Sequence, residues 1–238
     1  MQLADPEGFK KSEEAVSGAS VQIAELPFTN VLAHLQRTGV TVPQLHYYDR
    51  EAGLLYLEDF GDLTLAEACR DTDRDRLVAL YRQAIDQLVL LQVKGTQPPA
   101  PGCIAFHRRF DVSLLMWEFD HFLEYGIAAR LGQPMKPADD AAVRAAFQRI
   151  AELLAGQPQV FVHRDYHSRN LMVDGARLGI IDFQDALMGP ATYDLASLLK
   201  DAYIELDDAV VDGLVEHFLN GLAAHGQGWA DRAAFRRL

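Results

Sequence analysis

At 238 residues the chain has room for one large domain or two unequal lobes, and its 49% hydrophobic content excludes a disordered polypeptide. A net charge of −12 excludes a nucleic-acid binder, because no basic patch could offset phosphate repulsion on that background. Cys69 and Cys103 lack metal-ligand spacing and point to a reduced, cytoplasmic setting. The opening Met1 to Pro6 is no basic-then-apolar leader, and no apolar run reaches the ~20 residues of a membrane span.

Met1 to Ala4 reads as a strand end stopped by Asp5-Pro6-Glu7-Gly8, and Ser20 to Glu25 is ambiguous. Phe28, Val31, Leu32 and Leu35 have helical spacing over Phe28 to Arg37, with Gly39 as a stop. Gln44 to Tyr48 and Leu54 to Glu58 read as a hairpin joined through Asp49 to Gly53. The abrupt break at Glu58-Asp59-Phe60-Gly61 is taken as a crossing between lobes. Residues 1–57 then form a partial N-terminal lobe, 58–62 the crossing, and 63–238 a helical C-terminal lobe.

In that lobe Leu77, Leu80, Tyr81, Ala84, Ile85, Leu88 and Leu91 form a helical stripe, capped by Thr72 or Asp73 and ended at Gly95. Gln97 to Gly102 is a proline-rich loop. Asp111 caps a helix running through Leu123 with an acidic face of Glu118, Asp120 and Glu124. A further helix spans Asp140 to Ala155 and stops at Gly156. Helices are predicted at Thr192 to Ile204 and Asp207 to Ala224, and the final DRAAFRRL opens another. Strands first and helices after, with one hairpin among them, make an α+β, bilobal chain.

The chemistry concentrates in Phe161 to Asp194. His163-Arg164-Asp165 opens a polar loop, Asn170 closes it, and Leu171 to Val173 is a short apolar run. Asp174-Gly175 supplies the positive φ angles of a tight turn, and Leu178 to Ile181 leads back to Asp182. If the two runs pair, Asn170 and Asp182 lie on neighbouring strand ends with Asp165 just upstream. An acid able to take a proton then stands beside two oxygen ligands for a hard cation, which is the equipment of phosphoryl transfer. Taken singly, each residue is equally a turn, a cap or a surface strand end. The combination and its spacing carry the reading.

HRDYHSRN followed by IDFQ resembles the catalytic and metal loops of the kinase-like fold. The wording is closest to the aminoglycoside phosphotransferase and choline kinase superfamily. Within it, HRDYHSRNLMV…IIDFQDALMGPATYDLASLL resembles the bacterial anomeric kinases of N-acetylmuramate and N-acetylglucosamine, which serve cell-wall recycling. The resemblance covers roughly residues 40 to 238. It implies an ATP- and Mg2+-dependent kinase in which Asp165 is the catalytic base and Asn170 and Asp182 are the magnesium ligands. It further implies that the backbone of Glu58, Asp59 and Phe60 contacts adenine, and that Asp194 braces the catalytic loop through its backbone or through Arg164.

Gln184 stands where DFG kinases have glycine, so a flipping metal loop is not expected. The short interval between Asp182 and the helix near Thr192 leaves no room for a peptide-docking segment, so the acceptor is expected to be small. Glu118 and His121, three apart on one helix face, suit sugar hydroxyls. His167, Gln184 and Asp185 flank the loop and could touch substrate or phosphate, and Arg164 and Arg169 are the nearest cations. No glycine-rich loop or strand lysine is recognisable before the first helix. Lys10 and Lys11 could reach a phosphate or form a solvated surface beside Glu13-Glu14. The expectation drawn from this is a truncated or incompletely ordered small lobe. Two alternatives stay open: an aminoglycoside or amino-alcohol phosphotransferase, and a non-catalytic kinase-like scaffold.

Overall fold

The fold comes from a computed structural model that describes residues 25–227 and Phe235. Helix α1 (Pro27–Leu35) leads to the hairpin β1 (Leu45–Asp49) and β2 (Leu54–Leu57). A short α2 (Leu65–Ala68) and the long α3 (Arg74–Thr96) follow, then a 3-10 turn (Ile104–His107). Helix α4 (Val112–His121) runs into a π-helical turn (Phe122–Ala128) and α5 (Ala129–Leu131), before α6 (Pro137–Ala155). Strands β3 (Gln159–Val162), β4 (Leu171–Asp174), β5 (Arg177–Ile180) and β6 (Leu187–Pro190) precede α7 (Tyr193–Leu199) and α8 (Asp208–Ala224). Met1 to Ala4, Lys10, Lys11 and the final DRAAFRRL, apart from Phe235, lie outside the described residues.

Within the described residues the expected helices and both hairpins form, with informative differences. Asp73 rather than Thr72 caps α3, accepting from the Arg76 N–H. The helix runs through Gly95 to Thr96, and Gly95 is a packing residue: a Cβ there would come within 3.2 Å of the Phe161 ring. Helix α7 ends at Leu199 instead of Ile204. Asp201 causes the stop, because its Oδ1 takes the N–H groups of Tyr203 and Ile204 at 2.9 and 3.0 Å and turns the chain. Strand β6 was not anticipated. It pairs antiparallel with β3, from Gln159 opposite Pro190 to Val162 opposite Leu187.

One continuous apolar cluster joins α1 and β2 to α3, β3–β5, α7 and α8, with Val31, Leu35, Leu88, Phe161, Ile180 and Phe218 among its fully buried members. Two side chains pin α1 to the helical part. Asn30 donates to Gly102 O at 2.8 Å and accepts from the Ile104 N–H at 2.7 Å, and His34 Nε2 meets Gly95 O at 2.8 Å. A smaller cluster under α4, α6 and β6 centres on Phe110, Leu114 and Leu187.

The hairpin β4–β5 is held on both edges. On the β4 side Val173 donates its N–H to Leu63 O at 2.8 Å, and Thr64 bridges Met172. On the β5 side Ile180 donates to Thr41 O at 2.8 Å. The segment after β2 and the segment before β1 therefore clasp the hairpin whose open end carries Asn170 and Asp182.

Candidate active site

The loop between β3 and β4 is shaped by a buried acid. Asp194, in the first turn of α7 and with no exposed surface, accepts the His163 N–H on Oδ2 at 2.7 Å and the Arg164 N–H on Oδ1 at 3.0 Å. These bonds hold Arg164 at φ 84°, a left-handed conformation unfavourable to a side chain. Burial pushes the Asp194 carboxyl up to about 7, against the two N–H bonds that pull it down and with the Asp165 charge adding to the rise. Asp194 thus braces the loop through its backbone. The Arg164 guanidinium reaches Glu118 Oε1 at 2.5 Å and lies over the Phe110 ring.

His163 ties this loop to the one that carries Asp182. Its Nδ1 accepts the Asp165 N–H at 3.2 Å, which fixes the ring proton on Nε2, and Nε2 donates to Ile181 O at 2.9 Å. Burial holds its pKa down at about 4, so the ring is neutral. The motif advertised this histidine, yet sequence reasoning gave it no role. Asp201 was missed as well: besides ending α7, it accepts the Ser168 N–H on Oδ2 at 2.9 Å and anchors the far side of the loop.

Asp165 is exposed at the mouth of this frame. Enough protein surrounds its carboxylate to strip part of its hydration, which raises its pKa; Arg164 pulls it back and Asp182 pushes it further up. Asn170 donates from Nδ2 to Asp165 O at 2.9 Å and lies 3.4 Å from Asp182 Oδ2. The hairpin register carries on to these residues, since Ile181 donates its N–H to Asn170 O at 3.1 Å. Asp182 stands at φ 65°, and the next ring, Phe183, is buried in a 5.0 Å stack on Phe28 of α1.

These residues fit a hard divalent cation. The Asn170 amide nitrogen gives its N–H groups to the loop and, more weakly, to the Asp182 carboxylate beside it, and among the described residues its oxygen has no hydrogen-bond donor. Mg2+ needs only one or two such protein oxygens, completing its shell with phosphate and water. Among the described residues no group of three or more His, Cys, Asp or Glu side chains is gathered as a metal cage.

The other candidates are placed unevenly. His167 packs edge-on to Tyr203, with Nε2 3.4 Å from Asn170 Nδ2, and Gln184 donates to Asp182 Oδ1 at 2.8 Å. Asp185 turns to Arg108 at 3.8 Å. His121 bonds Trp117 O at 3.1 Å and packs between Trp117 and Tyr125. Arg169 stacks over Tyr203 at 3.9 Å. In the crossing, Glu58 pairs with Arg177 and accepts from the Gln44 N–H, Asp59 accepts from the Gly61 N–H, and the Phe60 ring is buried on Gly179. Their side chains are committed to the fold.

Residues 17–235 match the APH phosphotransferase enzyme family. The chain is 35% identical over 216 residues to the N-acetylmuramate/N-acetylglucosamine kinase of Pseudomonas putida, covering 89% of this chain and 60% of that protein. It is 34% identical over 188 residues to the kinase of that name from Neisseria meningitidis serogroup B, covering 79% of this chain and 54% of the relative. The chain therefore spans little more than half the length of these curated relatives. Among solved structures, an aminoglycoside-3'-phosphotransferase of type VIII aligns with a TM-score of 0.58 at 15% identity, over 89% of this chain and 77% of the other. A choline/ethanolamine kinase family protein from Mesorhizobium loti aligns with a TM-score of 0.55 at 18% identity, over 85% and 61%. These likenesses give the α+β fold as kinase-like. The hairpin geometry and the match across most of the sequence meet in one conclusion: the chain belongs to the APH phosphotransferase enzyme family.

Proposed function

We propose that the chain acts as an ATP- and Mg2+-dependent kinase that phosphorylates the anomeric hydroxyl of an N-acetylated amino sugar of the N-acetylmuramate/N-acetylglucosamine class. The observation that carries this is the convergence of Asp165, Asn170 and Asp182 at the open end of one clasped hairpin. Asp165 orients the acceptor hydroxyl and takes its proton as the oxygen bonds to the γ-phosphorus and the ADP oxygen leaves. Its raised pKa suits that role. Asn170 and Asp182 would hold Mg2+, whose charge, when bound, offsets that of the phosphate oxygens. The backbone of Glu58 to Phe60 is assigned to adenine, and the lobe division at 58–62 goes with that assignment. Free, buried Cys69 and Cys103 accord with a cytoplasmic setting, and among the described residues no helix is long and apolar enough to cross a membrane.

The acceptor is small in this reading because the chain after Asp182 is spent on β6, which pairs with β3 before α7 begins. Glu118, His121, His167, Gln184 and Asp185 are assigned to its surroundings. A cationic acceptor, as in aminoglycoside or amino-alcohol phosphotransfer, is less well supported. On the acidic face of α4, Glu118 is neutralised by Arg164 and Asp120 by Arg144. The test is phosphorylation of a panel of N-acetylated sugars, aminoglycosides and amino alcohols, with Asp165→Ala alongside. We expect turnover of the N-acetylated sugars, lowered by at least ~10³-fold in Asp165→Ala with nucleotide affinity retained. Turnover of cationic acceptors alone would overturn the sugar assignment, and a fully active Asp165→Ala the mechanism. Failure of the wild type to bind Mg2+-ATP would favour a non-catalytic scaffold.

A further inference from the structure

The side chain two places after Asp182 turns back onto it. Gln184 Nε2 donates to Asp182 Oδ1 at 2.8 Å, while Oδ2 is the oxygen nearest Asn170, 3.4 Å from its Nδ2. The backbone of Asp182 is held at φ 65°, with the next residue locked in the Phe28–Phe183 stack. What freedom remains lies in the carboxylate's own torsions, and the Gln184 amide restrains it. One oxygen is tied closely to the Gln184 amide, while the other has only the long contact with Asn170 and is the one left to a small cation that takes one or two protein oxygens. Outer donors of this kind commonly change metal affinity by about 10–100-fold.

We propose that Gln184 is a positioning residue that orients the Asp182 carboxylate toward a divalent cation shared with Asn170. The proposal rests on the metal-ligand reading of those two residues. Where a glycine at this place would leave the acid free to swing, the amide of this chain fixes it and adds no charge to the site.

Mn2+ alone serves as the probe, titrated against the full chain and followed by the loss of its free EPR signal. Gln184→Met keeps the bulk without the donor, and Gln184→Gly removes the side chain altogether. Asp182→Asn is the control for the metal site, and thermal melts check folding. Both Gln184 variants should bind Mn2+ roughly 10–100-fold more weakly with a broadened bound spectrum, and Asp182→Asn should lose binding. Wild-type affinity in both Gln184 variants, with binding lost in Asp182→Asn, overturns the role of Gln184 alone. Binding retained in Asp182→Asn, or absent in the wild type, overturns the metal site and this inference with it.

Discussion

Asp194 accepts the His163 backbone N–H at 2.7 Å, its carboxyl and the His163 ring are both fully buried, and burial shifts their proton affinities in opposite directions. His163 sits at about 4 in the fold against an ordinary value near ~6.5. The unfolded chain therefore binds the extra proton, and this contribution to stability falls as pH drops from ~6.5 through 4. Asp194 sits at about 7 against an ordinary ~3.9, so the folded chain holds the extra proton. Its contribution is complete below ~3.9 and is lost as pH rises through 7.

Between roughly pH 4.5 and 6 the two slopes cancel in the wild type. Asp194→Asn removes one of them. Relative to wild type its stability should then rise with pH across that window, by up to ~1.4 kcal/mol per unit. His163→Gln should show the opposite slope. Urea unfolding at pH 4.5, 5.5 and 6.5 measures both, and parallel curves for all three proteins would refute the opposed titrations.

Gly179 in β5 has its missing side chain replaced by the Phe60 ring. A Cβ built there would lie 2.3 Å from Cε2 of that ring. Gly179→Ala should cost about 1–3 kcal/mol by overpacking, read as a lower urea midpoint with an unchanged m-value. Because Phe60 belongs to the crossing assigned to adenine, ADP affinity should fall with it. Adding Phe60→Leu makes room and should recover part of the stability. A doubly substituted chain that shows the sum of both losses would count against this contact.

Glu118 reaches the loop that carries Asp165 through Arg164 at 2.5 Å, with the two side chains 36% and 14% exposed. A pair this accessible adds at most ~1 kcal/mol to stability, so Glu118→Ala should leave the melting temperature within a few degrees. Its effect belongs in turnover, since losing the Glu118 contact lets the Arg164 side chain shift, and misplacement of a neighbouring group by about 1 Å can cost ~10²-fold. We expect kcat to fall at least ~10-fold, with Glu118→Gln recovering most of it. A rise in acceptor KM with kcat intact would instead assign Glu118 to the sugar alone.

The β4–β5 hairpin was legible because its information is local: an Asp-Gly turn, two apolar runs and polar residues at fixed distances from them. Strand β6 was not, because Leu187 to Pro190 is four residues long, ends in Gly-Pro, and acquires its strand character from β3, far away in sequence. The length of α7 was misjudged because apolar spacing continues to Ile204 while the Asp201 carboxylate competes for the backbone. The π turn from Phe122 to Ala128 was likewise hidden, since it continues α4 at a slightly longer period. Among the site residues, His163 and Asp201 act through backbone partners that no spacing rule identifies.

The clasp on the β4–β5 hairpin bears on how the molecule breathes. The outward-facing amides of Val173 and Ile180 are given to Leu63 and Thr41, on either side of the β1–β2 hairpin. Neither proton can exchange with solvent unless one of those segments first lets go. Local opening of the hairpin is thereby coupled to detachment of the preceding chain, and these two amides should exchange together, at the slow rate of a cooperative unit rather than that of a surface turn.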